Sequence, residues 1–139
     1  MGKSMVRNLM KAGFELHIYA RTKSKVEDVI GEGAQFHESI KDCVQDCDAV
    51  ITIVGFPQDV EEVYFDEGNI LDSAKEGAYL IDMTTTSPQI AEKIYAEGTK
   101  RGFHVMDAPA QAEIQERKPE HCPSLLAERK KITKLYATL

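Results

Sequence analysis

Three things are scarce in this sequence: long apolar runs, positive charge and cysteine. No run approaches the roughly 20 apolar residues that a helical membrane span requires, and Met1-Gly2-Lys3-Ser4 are not followed by the apolar block of a signal peptide. A soluble chain in the cytoplasm is the expectation. Lys and Arg number 17 against 23 Asp and Glu, a formal net charge of -6. That balance argues against a general nucleic-acid or anionic-membrane surface, so neither is expected as a partner, while a local basic pocket for a phosphate remains compatible with it. Cysteine occurs only at Cys43, Cys47 and Cys122, an odd count that makes no disulfide framework. Cys43 and Cys47 stand one helical turn apart and are read as reduced, small core residues, with no metal site.

What the chain does have is an ordinary globular composition, with hydrophobic residues at 42% and charged residues at 29% of 139 positions. That length supports one core. The stretch Val50-Ile51-Thr52-Ile53-Val54 is continuous, apolar and rich in β-branched residues, then stops at Gly55 and Pro57. From Val60 the apolar period is that of a helix, so a buried strand feeds a loop and a helix. In α/β sheets the crevice beyond such a strand end is where ligands sit.

The same grammar runs through the chain. Residues 2 to 12 carry Met5, Val6, Leu9 and Met10 on one stripe, a helix stopped by Gly13. Phe14 to Ala20 alternates as a short strand, with His17 expected to face outward. Ser24 and Glu27 have capping-box spacing, which predicts a helix start there. Ser39 opens a helix that turns Ile40, Cys43, Val44 and Cys47 inward. Ala78 to Met83 is a second buried strand, and Ser87 followed by Pro88 is a strong helix start with Ile90, Ala91, Ile94 and Tyr95 as its inner face. Gly102 to Asp107 is a third short strand. Strands and helices alternating at this spacing predict an α/β fold with a Rossmann-type, doubly wound, mostly parallel sheet.

Two local patterns bear on ligands. A helix entered through Gly2 presents unpaired N–H groups and a positive dipole end, which suits a pyrophosphate. The segment Tyr19 to Lys25 lacks an acidic residue for a ribose hydroxyl and offers Arg21, Lys23 and Lys25 instead, which favours the 2′-phosphate of NADP over NAD. Glu61 and Glu62 are read as first-turn carboxylates favoured by the helix dipole.

Residues 1–13, Tyr19-Ala20-Arg21-Thr22, Val54 through Tyr64, Asp82 through Pro88 and Asp107-Ala108-Pro109 together resemble the β-hydroxyacid dehydrogenase family. Its members include 3-hydroxyisobutyrate dehydrogenase, tartronate semialdehyde reductase and 6-phosphogluconate dehydrogenase. The resemblance implies a Rossmann domain for NADP, with NAD as the alternative, acting in the family on a small carboxylic-acid substrate. A helical domain with a catalytic lysine follows it there, and a homo-oligomer is compatible with it. Carried over by residue, Gly2 lies on the pyrophosphate turn and Arg21 and Thr22 by the adenosine ribose. Val54, Gly55 and Asp59 line the cofactor crevice, while Thr84 and Thr85 lie near the nicotinamide. The strand that precedes Gly2 in the family is lacking.

The resemblance stops at Pro109. The family continues Val-Ser-Gly-Gly, whose serine and glycines contact substrate, and later has Gly-Thr-Leu and Val-Gly-Gly; here the chain reads Ala110-Gln111-Ala112-Glu113-Ile114. Residues 111–139 hold six Lys/Arg and four Asp/Glu, so this part is +2 and the remainder -8. A reading frame displaced by one base lets Gln111 to Ile114 encode Ser-Gly-Gly-Asp, Glu120 to Ser124 encode Gly-Thr-Leu-Ser-Ile, and Leu126 to Glu128 encode Val-Gly-Gly. Residues 1–109 are therefore expected to be a partial NAD(P)-binding domain and 110–139 a frameshifted tail, in which Leu125, Leu126, Ile132, Leu135 and Tyr136 have roughly helical spacing. No residue is assigned a catalytic role, and negligible turnover is expected. The alternative is a non-catalytic nucleotide-binding or interaction module.

Overall fold

The computed structural model describes residues 2–108 and the strand 134–138. Helices α1 (Gly2–Lys11), α2 (Glu27–Gly31), α3 (Ile40–Val44), α4 (Pro57–Phe65), α5 (Ile70–Ser73) and α6 (Pro88–Lys100) alternate with strands β1 (Glu15–Tyr19), β2 (Gln35–Phe36), β3 (Ala49–Thr52), β4 (Tyr79–Asp82) and β5 (His104–Asp107). A sixth strand, β6 (Lys134–Thr138), comes last in sequence. The order across the sheet is β2-β1-β6-β3-β4-β5, and every pairing is parallel. Among the described residues no helix is long and apolar enough to cross a membrane.

Alternation along the strands sends side chains to both faces, and both are covered. Val50 and Leu80 pack with α3, α4, α5 and α6 residues such as Val44, Val60, Ile70 and Ile94. Ala49, Leu16 and Ile18 pack with Val6 of α1 and Val29 of α2. Cys43 and Cys47 are buried in the first of these clusters, where Cys47 Sγ donates to the Cys43 carbonyl at 3.0 Å. Burial pushes the Cys43 thiol pKa up, away from reactivity; Cys122 lies outside the described residues.

Local chemistry sets several boundaries. The turn that follows α1 is made at Gly13, whose φ of 90° is the left-handed conformation that glycine adopts without strain. Ser39 caps α3 by accepting from the Asp42 N–H at 3.1 Å, and Ser87 caps α6 by accepting from the Ile90 N–H, with Pro88 at the first helical position. Gly98 lets α6 lie close on β5, since a Cβ there would run into Val105.

Four expectations are corrected. The capping box at Ser24 does not form, because residues 23–25 close a 3-10 turn (Val26 N–H to Lys23 carbonyl, 2.9 Å) and α2 begins only at Glu27. His17 is 8% exposed instead of facing out: its ring stacks on His37, with Nδ1 2.8 Å from the His37 Nε2. Tyr95 is 59% exposed, off the inner face that Ile94 occupies. The fourth concerns the tail. Leu135 and Tyr136 belong to a strand and not a helix, while Leu125, Leu126 and Ile132 lie outside the described residues.

β6 also determines how β1 and β3 are joined. β1 neither pairs directly with β3 nor detaches. β6 stands between them, with Leu16 opposite Leu135 on one side and Ala49 opposite Leu135 on the other.

Candidate dinucleotide site

β3 is shorter than its apolar run suggests, ending at Thr52, so Ile53, Val54 and Gly55 form the loop into α4. α4 is entered through Phe56, whose N–H donates to Asp59 Oδ2 at 3.2 Å, with Pro57 at the first turn. The loop is held from behind by the end of β4. The Val54 N–H donates to Thr84 Oγ1 at 3.1 Å, and the Thr84 N–H donates to Asp82 Oδ1 at 3.0 Å. Thr84 and Asp82 are each 4% exposed. Burial pushes the Asp82 carboxyl pKa up, and the second carboxyl oxygen has no hydrogen-bond partner among the described residues. Nearby, the buried Thr52 hydroxyl donates to the Tyr64 phenol oxygen at 3.0 Å, locking α4 onto β3.

Beyond the ends of β1 and β3 lies a cavity of about 730 Å³, a size suited to a small-molecule or cofactor site. Its lining brings together Gly2, Arg21, Thr22, Val54, Gly55 and Asp59, six of the eight residues expected at a cofactor. The other two do not line it. Thr84 sits behind the wall, bonded to Val54, and Thr85 is exposed in the loop before α6. The lining also includes Lys3, Ser4 and Arg7 of α1, Tyr19 at the end of β1, and Val63 one turn beyond Asp59 on α4. Val63 was findable from the i, i+4 spacing to Asp59, and Tyr19 from its position beside Arg21.

The electrostatics are asymmetric. α1 has no acidic residue in its first turn, so its N-terminal N–H groups at Gly2, Lys3 and Ser4 give the cavity a positive end. Lys25 lines the cavity, whereas Lys23 turns away and lies over the Phe36 ring at 5.2 Å. Arg21 is already engaged: Nη1 lies 2.8 Å from Asp59 Oδ1, and Nη2 donates to Glu62 Oε2 at 2.6 Å. These carboxylates push the Arg21 pKa further up, Asp59 contributing most. Glu61 instead reaches Lys93 of α6 at 3.2 Å. Arg7 is tied away from ligand duty, donating to Glu32 at 2.8 Å and to Asp28 at 2.7 Å and so binding α1 to α2.

This chemistry fits a dinucleotide. Helix N–H groups and Lys25 suit phosphate oxygens, the Val54-Gly55 turn offers an apolar wall without a bulky side chain at Gly55, and Thr22 and the Arg21 ion pair supply polar partners. Among the described residues no group of three or more His, Cys, Asp or Glu could hold a metal ion.

Residues 1–112 match the family model described as the NAD binding domain of 6-phosphogluconate dehydrogenase. The uncharacterized oxidoreductase YkwC of Bacillus subtilis is 45% identical over 109 residues, 78% of this chain and 38% of that protein. A probable 3-hydroxyisobutyrate dehydrogenase-like protein of Arabidopsis thaliana is 37% identical over 110 residues, covering 78% of this chain and 33% of its own. The chain thus spans little more than a third of the length of these curated relatives. In fold it is similar to an imine reductase from Myxococcus stipitatus in complex with NADP+, at a TM-score of 0.78 and 16% identity over 99% of this chain and 52% of that one.

Proposed function

This chain belongs to the family of the NAD-binding domain of 6-phosphogluconate dehydrogenase, and from that premise we propose that residues 1–109 form a dinucleotide-binding unit preferring NADP, with NAD as the alternative ligand. The observation that carries the proposal is the meeting, in one cavity, of the α1 N-terminus with Arg21, Lys25 and the Val54-Gly55 turn. Gly2 and the amides after it receive the pyrophosphate. Arg21 and Thr22 receive the adenosine ribose with its 2′-phosphate, and Val54, Gly55 and Asp59 form the wall. Thr84, through its bond to Val54, sets the position of that wall, and Thr85 borders the nicotinamide end.

When bound, the nicotinamide cofactor supplies or accepts a hydride, in the parent reaction with a small β-hydroxyacid or semialdehyde. The residues of this chain bind and orient; they include no lysine matching the family's proton-transferring one and no Val-Ser-Gly-Gly substrate loop. Differential stabilisation of the transition state needs substrate, nicotinamide and that lysine together, so residues 1–139 by themselves are proposed to turn over negligibly. Thermal unfolding with NADP, with NAD and without ligand tests the binding. Ligand at 100 times its Kd stabilises by about 2.7 kcal/mol, and no shift with either nucleotide contradicts the proposal. NADPH oxidation with succinic semialdehyde or glyoxylate tests the silence, and measurable turnover contradicts it.

The tail from residue 110 is proposed to be a translation displaced by one base, supported by the reappearance of family segments in a single phase. Sequencing the coding DNA across codons 105 to 115 decides it, an intact Val-Ser-Gly-Gly frame with no missing base being the contrary result. The second reading, a non-catalytic nucleotide-binding or interaction module, is favoured by one observation: β6, from that tail, fills the sheet between β1 and β3.

A further inference from the structure

We infer that Glu62 is a selectivity-determining residue of the dinucleotide site, acting through Arg21 to hold the preference for NADP over NAD below what the loop after β1 would otherwise give. The inference rests on the binding reading above. In sequence that loop, residues 20–25, has three basic residues and no acidic one. In space an acidic partner is supplied from α4. Asp59 and Glu62, three residues apart and so on one helical face, take the two terminal nitrogens of Arg21 at 2.8 and 2.6 Å.

The two carboxylates differ in what they can give up. Asp59 lines the cavity, its side chain is 19% exposed, and it also holds the Phe56 N–H at the start of α4. Among the described residues Glu62 has no such second bond from its carboxylate, and its side chain is 55% exposed. Of the other loop cations, Lys23 is committed to Phe36, leaving Lys25 in the cavity. A dianionic 2′-phosphate approaching Arg21 must therefore displace the Glu62 carboxylate from Nη2, and the guanidinium attracts it less while that carboxylate neutralises its charge. NAD brings only hydroxyls to the same place. Those can donate to Glu62, as an acidic residue after the second Rossmann strand would accept them.

Glu62→Gln keeps the shape and the helix while removing the charge. Titration of the full 139-residue chain with NADP+ and with NAD+, before and after this substitution, reads the effect as two dissociation constants. NADP+ is expected to bind roughly tenfold tighter to the variant, NAD+ equally well or several-fold weaker. In an Arg21→Ala background the gain for NADP+ disappears, because Glu62 then has no guanidinium to withhold. An NADP+ to NAD+ ratio unchanged by Glu62→Gln, in a chain that binds either nucleotide, overturns this inference and leaves the binding reading standing. A gain that survives in the Arg21→Ala background also overturns it. Binding of neither nucleotide by either form overturns both.

Discussion

Two strands share the centre of this sheet, one inside the residues that the family model matches and one beyond them. β3 is a β-branched run whose four residues are all buried, and its loop makes the cavity wall. β6 lies beyond the residues 1–112 that the family model matches, yet it pairs in register with β1 over five residues and with β3 over four. The contrast separates two requirements. A place at the centre of a parallel sheet asks mainly for a short extended segment whose backbone N–H and C=O groups satisfy both neighbours. A ligand crevice asks for particular side chains at a strand end. β6 meets the first requirement; among the described residues the loops after β1 and β3, with the start of α1, meet the second.

The contrast can be broken most severely through the backbone of β6. Ala137 pairs with Ile18 on one side and Ile51 on the other, so Ala137→Pro removes a donor and forces a ring into an interior strand, leaving a buried acceptor unpaired at about 1–3 kcal/mol with the steric clash in addition. Urea unfolding is expected to lose most of its free energy, and a midpoint equal to that of the unsubstituted chain would mean that β6 contributes nothing to the sheet. A smaller effect is expected on the β3 side. Thr84→Val removes the acceptor of the Val54 N–H, destabilising by about 1–3 kcal/mol and weakening NADP+ binding, whereas Thr84→Ser restores both. Equal binding by the valine and serine variants would detach Thr84 from the crevice.

The smallest effect is a pH dependence at the edge of the sheet away from β3. Burial and the neighbouring His17 hold the His37 pKa below the ordinary histidine value. The unfolded chain therefore takes up this proton near pH 6.5 while the folded chain resists it. Stability from this group is complete above that value and is lost as pH falls through it toward the folded pKa. The melting temperature is expected to drop modestly between pH 7.5 and 5.5, and His37→Gln to flatten that drop. A slope that persists in the variant assigns the dependence elsewhere.

Much of the framework was legible because local chemistry and tertiary packing agree there. Ser39 and the Ser87-Pro88 pair cap helices as their types predict, and the runs at 49–52 and 79–82 are buried strands. Other features depend on neighbours that no local pattern names. His17 is buried because His37, just after β2, stacks on its ring. The Ser24-x-x-Glu27 spacing loses to a 3-10 turn closed by backbone bonds. Arg21 looked available to a phosphate because Asp59 and Glu62, some forty residues later, are joined to it only by the fold. β6 was the hardest to see, since Leu135 and Tyr136 share a roughly helical spacing with Leu125, Leu126 and Ile132, and Lys134–Thr138 becomes a strand only between two strand edges that receive it.

Residue-resolved hydrogen exchange on the full chain, with and without NADP+, addresses both halves of the contrast at once. Without ligand, amides of 134–138 are expected to be protected together with those of β1 and β3, and NADP+ is expected to add protection at residues 2–7, 19–25 and 53–59. Rapid exchange throughout 134–138, with no change anywhere on adding NADP+, would contradict a sheet completed by β6 and a crevice built to hold a dinucleotide.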